Sequence, residues 1–130
     1  MVLERYRSCI ETNALDVFAG LYAEDAVIDA NVPAWRYQLQ GRDQIGSQFH
    51  VWYGAPHELL EWREQPTAHG AVVETVESFL PGTSRETYAR SLHVFDVRDG
   101  LIARHTFYCT GPWDQATVAR HRETAPMVTA

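Results

Sequence analysis

From Leu59 onward the apolar residues leave helical spacing and fall into period-two or β-rich runs, LLEWREQ, AVVETVESFL, ETYARSLHVFDV and LIARHTFYCT, divided by the turn signals HG, PGTS and RDG. Four long strands joined by hairpins follow from this pattern, and hairpins make neighbours antiparallel. What precedes them is mainly helical. Leu3, Tyr6 and Ile10 recur at helical spacing, as do Leu15, Phe18, Leu21 and Tyr22, so two short helices are expected, with Asn13 capping the second and Asp16 in its first turn. AVIDAN (26–31) is too short and β-branched for a helix, and Pro33 ends it, which gives one early strand. After Gly41, the spacing of Ile45, Phe49 and Trp52 marks a third, amphipathic helix over RDQIGSQFHVWY despite Gly46. Gln115 to Arg122 reads as a last helical turn, and residues 121–130 as a loose C-terminal tail.

Helices first and antiparallel strands after is an α+β order, a curved sheet with helices packed on one face. A length of 130 residues gives the expectation of one domain, spanning 1–130. A net charge of -6 and the lack of any Lys/Arg run speak against nucleic acid. The N-terminus reaches a charge at its fourth residue and no long apolar run follows, so neither a secretory leader nor membrane association is expected. Cys9 and Cys109 lie far apart with no C-x-x-C partner and read as free thiols of a cytoplasmic protein.

LERYRSCIETNALDVFAGLYAEDAVIDANVP, then GRDQIGSQF, then VRDGLIARHTFY resembles the nuclear-transport-factor-2-like superfamily, and more closely its SnoaL-like branch. LYAEDAVI and the G-R-x-x-I opening of the third helix are the most specific pieces. The resemblance implies a cone-shaped barrel, its strongly curved, mainly antiparallel sheet wrapped around three N-terminal helices, and a homodimer formed through the outer sheet face. It also implies a small-molecule pocket, in a superfamily that hosts isomerases, epoxide hydrolases, dehydratases, polyketide cyclases and non-catalytic binding modules. Aligned on ketosteroid isomerases, the base aspartate falls on Ala30, and the two oxyanion-binding positions on Tyr6 and His93. Aligned on SnoaL-like cyclases, the histidine is matched by His93 and the aspartate position holds Phe107. Limonene-epoxide-hydrolase-like enzymes are similar at Asn31, and their middle-strand Arg-x-Asp falls near Thr75 and Glu77.

If His93 faces inward, period-two geometry also turns in Ala89, Ser91 and Phe95, with Val73, Thr75, Glu77 and Phe79 on the preceding strand and Ala103, His105, Phe107 and Cys109 on the last. The expected pocket is apolar, with His93, Glu77 and His105 as its catalytic groups. Histidine exchanges protons near neutrality, and an adjacent carboxylate would orient it, so His93 and Glu77 are expected to pair. Tyr6, Asn31, Thr75, Ser91 and Phe107 complete the substrate contacts. Trp35, Trp52 and Trp62, part of a heavy aromatic load that includes Tyr37 and Trp113, suit a flat ring-bearing substrate. His50, His57, His69 and His121 are expected in solvent. No H-x-H or H-E-x-x-H spacing, glycine-rich phosphate loop or nucleophile elbow occurs, so no metal and no cofactor is expected. Two functions follow: cofactor-free acid/base chemistry on a small apolar or aromatic molecule, or non-catalytic binding and dimerisation on the same fold.

Overall fold

Asn13 stops the first helix. In the computed structural model, which describes residues 1–129, α1 runs Val2–Thr12 and Asn13 takes left-handed backbone at φ 58° and ψ 35°. Asn13 is therefore the C-cap of α1 and not the N-cap of the next segment, because asparagine tolerates that conformation as few other residues do. The next segment, Leu15–Leu21, is a 3-10 helix that runs straight into β1 (Tyr22–Val32). β1 starts four residues before the expected Ala26, where an irregular stretch between Tyr22 and Val27 hides the alternation.

The sequence pattern did not foretell β2 (Trp35–Gln40). Pro33 and Ala34, the latter at φ 59°, turn the chain tightly enough for Val32 to pair with Trp35. Pro33 thus ends one strand and opens a hairpin. α2 spans Arg42–Tyr53 as expected, with Ile45 and Phe49 fully buried. Its Gly46 permits close approach to the 3-10 segment, since a Cβ there would sit 3.3 Å from that of Ala19.

The late strands are β3 (His57–Pro66), β4 (Gly70–Phe79), β5 (Thr87–Arg98) and β6 (Leu101–Cys109). α3 (Gln115–Thr124) is capped by Asp114, whose side chain accepts from Thr117 N–H at 2.8 Å. The helix takes in the first four residues of the expected tail, a correction that follows from this cap; Ala130 lies outside the described residues.

The strands form one curved, unclosed sheet in the order β2-β1-β6-β5-β4-β3. All neighbours are antiparallel except β1 and β6. The α+β class and mainly antiparallel sheet are as expected, with β2 and β3 left as edges of an incomplete barrel. Tyr6 of α1, Phe18 of the 3-10 segment and Phe49 of α2 pack together, with Phe18 and Phe49 stacked at 4.0 Å and Tyr6 edge-on to Phe95 of β5 at 5.1 Å. Where the register slips from Asp96↔Arg104 to Val97↔Ile102, Ala103 is the extra residue, so Ile102 takes the buried position expected of Ala103.

Candidate active site

Three neighbouring strands aim polar side chains at one point. Thr75 and Glu77 of β4, Ser91 and His93 of β5, and His105 of β6 are all buried on the inner face, with Tyr6 of α1 opposite. All but Thr75 line a cavity of about 670 Å³ whose walls also include Val32, Pro33, Val51, Trp52, Phe79, Phe107 and Pro112. Tyr6, Tyr53, Glu77, Ser91, His93 and His105 line it as polar groups. Apolar walls with a few convergent polar groups are what small-molecule pockets have in common.

Glu77 is 4% exposed. Its Oε1 accepts a hydrogen bond from the Tyr53 hydroxyl at 3.0 Å, and its Oε2 has no hydrogen-bond partner among the described residues. Burial disfavours the carboxylate and raises its pKa to about 7, against the opposing pull of Tyr53 and of nearby His57. Both protonation states are therefore populated near neutral pH. Burial and the neighbouring carboxyl push Tyr6 and Tyr53 well above the usual phenol range, which keeps both hydroxyls as neutral donors.

The histidines form a separate line. His93 Nδ1 lies 2.8 Å from His105 Nε2, His93 Nε2 lies 3.2 Å from Thr75 Oγ1, and His105 Nδ1 lies 2.8 Å from the Tyr22 hydroxyl. Burial lowers His93 to about 4 and takes His105, next to it, well below the ordinary imidazole range, so both rings are uncharged at neutral pH.

The expected His93–Glu77 hydrogen bond is not formed. Strand register explains why: His93 pairs with Val73 and Glu77 with Ala89, so Thr75 is the β4 residue within reach of the imidazole. Tyr53 from α2 takes the place at Glu77 instead. Of the expected substrate contacts, Tyr6, Trp52, Ser91 and Phe107 line the cavity, while Thr75 is held behind His93. Asn31 does not join them. With Ile28 and Ala30 facing in, it lies on the outer face, where its Nδ2 donates to Phe107 O at 3.2 Å beside Asp29. Trp35 opens the edge strand β2 and is 71% exposed. Trp62 packs 6.2 Å from Tyr6 and receives Arg7 on its ring without forming part of the cavity wall. His57, expected in solvent, is half-buried and ties Ile10 O to Ala55 O, each 3.0 Å from a ring nitrogen. Among the described residues no three His, Cys, Asp or Glu side chains converge as metal ligands would.

Tyr53 and Tyr22 belong to the site and were not anticipated in it. Tyr53 follows Phe49 by four residues on the buried stripe of α2, a spacing that could have found it. The helical spacing of Leu15, Phe18, Leu21 and Tyr22 hides the inward strand position of Tyr22.

A family model described as SnoaL-like domain matches residues 3–105. No curated protein matches the chain. Among solved structures, a presumed polyketide cyclase from Xanthomonas campestris pv. campestris is similar at 21% identity over 82% of this chain and 86% of that one, with a TM-score of 0.67. An LEH-like epoxide hydrolase of M. tuberculosis is similar at 15% identity over 92% and 84%, with a TM-score of 0.67. A Catenulispora acidiphila protein with a ketosteroid isomerase-like fold, solved with trimethylamine, is similar at 12% identity over 91% and 88%, with a TM-score of 0.68. At such identities these likenesses speak for the fold alone.

Proposed function

The chain belongs to the SnoaL-like domain family, and from that premise we propose that it is an enzyme performing cofactor-free acid/base chemistry on a small apolar or aromatic molecule. The reaction is of the cyclase, isomerase, epoxide-opening or dehydratase type. The observation that carries this reading is Glu77: a carboxyl on an apolar cavity, poised near pH 7 and with one oxygen unpartnered. As a carboxylate it accepts a proton through Oε2, and as an acid it returns one. His93 hydrogen-bonds the substrate from the neighbouring strand, His105 supports His93, and Tyr6 and Ser91 supply further hydroxyls. Trp52 and Phe107 suit the flat face of a ring, their own rings meeting edge-on at 5.3 Å.

The competing reading is a non-catalytic binding domain of the same fold. Ala30 and Phe107, which hold the places where catalytic relatives carry carboxylates, favour it. Turnover of a panel of small cyclic ketones, epoxides and hydroxyketones, followed in wild type and Glu77→Gln, decides between them. The enzyme reading expects a loss of about 10²–10⁴-fold in the variant. Trp52 fluorescence that reports binding while no panel member turns over decides for the binding domain.

The proposal includes one domain over 1–130 and a cytoplasmic setting, supported by the free thiols of Cys9 and Cys109. Among the described residues no helix is long and apolar enough to cross a membrane. It also includes a homodimer through the outer sheet face, where Leu92 and Tyr108 are exposed beside the half-buried Val72, Val76 and Val94.

A further inference from the structure

Tyr22, His105, His93 and Thr75 form an unbroken line of hydrogen bonds from β1 through β6 and β5 to β4, with separations of 2.8, 2.8 and 3.2 Å. Its two histidines line the cavity, whereas Tyr22 at one end and Thr75 at the other are buried off its wall. Resting on the reading of Glu77 as the proton-transfer group, we propose that Tyr22 and His105 are positioning residues that hold His93 as its Nε2–H tautomer. His93 then meets the substrate as a neutral hydrogen-bond donor and not as the base, and the substrate is one that offers an acceptor oxygen such as a ketone, ester or epoxide.

Counting hydrogens fixes the direction of the line. Uncharged, the four groups carry four hydrogens for three bonds, so all bonds form only if every donor points the same way. In one order the Tyr22 phenol donates to His105 Nδ1, His105 Nε2–H to His93 Nδ1, and His93 Nε2–H to Thr75 Oγ1. The Thr75 hydroxyl hydrogen is then left over. In the reverse order Thr75 donates to His93 Nε2, His93 Nδ1–H to His105 Nε2, and His105 Nδ1–H to the phenol oxygen, which leaves the phenol hydrogen over.

Tyr22 has 0% exposure and its hydroxyl has no second partner among the described residues, so the reverse order strands a donor in the core. The forward order leaves its spare hydrogen on Thr75, which is itself 1% exposed and off the cavity wall, so burial alone does not separate the two orders. A phenol is the stronger donor and the weaker acceptor of the two hydroxyls, so the order in which Tyr22 donates and Thr75 accepts makes the stronger bonds. The forward order is therefore the one the donor strengths favour, and the shorter hydroxyl bond at the phenol, 2.8 Å against 3.2 Å at Thr75, agrees with it. The His93–Thr75 bond is the longest of the three, hence the one a substrate oxygen most readily displaces.

Long-range proton–nitrogen NMR on the full chain labelled with ¹⁵N-histidine tests this at neutral pH without substrate. Wild type is expected to show, for both His93 and His105, a protonated Nε2 and a bare Nδ1. Tyr22→Phe removes the donor that sets the order, and His93 becomes a mixture of tautomers; Thr75→Val, at the other end, leaves Nε2–H in place. A wild-type His93 protonated on Nδ1, a Tyr22→Phe spectrum identical to wild type, or a tautomer change in Thr75→Val overturns the proposal. Should Tyr22→Phe not fold, wild type and Thr75→Val decide it alone. Failure here leaves the role of Glu77 standing, whereas undiminished turnover in Glu77→Gln overturns that role with the tautomer unaffected.

Discussion

At the scale of single residues, the site places one carboxyl and two imidazoles where their charged forms are disfavoured. Glu77 binds its proton more tightly in the folded chain than in the unfolded one. Its raised pKa, about 7 against 4.5, therefore lowers stability as pH rises through that window, by up to about 3 kcal/mol. Glu77→Gln removes that dependence. The variant's stability relative to wild type, from denaturant melts, is expected to grow by about 3 kcal/mol between pH 4.5 and 8; a constant difference would mean that Glu77 titrates as it does in water. Inward positions for Glu77, His93 and His105 were legible in the sequence because strand parity is a local rule. The partner of each was not, since that depends on register between strands and on a tyrosine arriving from a helix.

Among the elements, α2 and the four late strands could be read almost to the residue, because their apolar spacing is unambiguous. β2 escaped notice because an edge strand with polar residues outward lacks the apolar runs that mark central ones. What fastens β2 is Asp29 on β1, 4% exposed. Its carboxylate accepts from Arg36 Nε at 2.9 Å and Nη2 at 2.6 Å, from Gln38 at 3.1 Å and from Arg104 of β6 at 3.4 Å. These partners, Arg36 foremost, hold its pKa down at about 2. Asp29→Asn is expected to destabilise the chain by about 1–3 kcal/mol. Amide exchange should quicken first over Trp35–Gln40 while the cavity still takes its ligand, because local opening follows the weakest fastening. Uniform exchange along the sheet would show that Asp29 serves the whole fold and not this hairpin.

For the whole molecule, the buried groups combine into one pH profile. His93 and His105 hold protons less tightly folded than unfolded, so stability falls as pH drops below 6.5, through about 4 in the case of His93. Asp29 adds a further loss below 3.8. Two histidines outweigh the opposed carboxyl, so the denaturation midpoint should climb with acid removal and level off near roughly pH 7; a maximum at pH 5 would contradict neutral buried imidazoles. The proposed homodimer is checked by light scattering on a sizing column at micromolar concentration, where a species of 14.8 kDa would rule it out. The strand order also bears on how such a chain comes off the ribosome. β6, the last strand made, sits in the middle of the sheet between β1 and β5, with Ala30 of β1 waiting for Phe107. Until it emerges, the nascent chain holds two separate half-sheets, β2-β1 and β5-β4-β3, each with a bare edge open to wrong partners. Folding must then close a long loop in a late, slow step, and a chain truncated before β6 would be sticky.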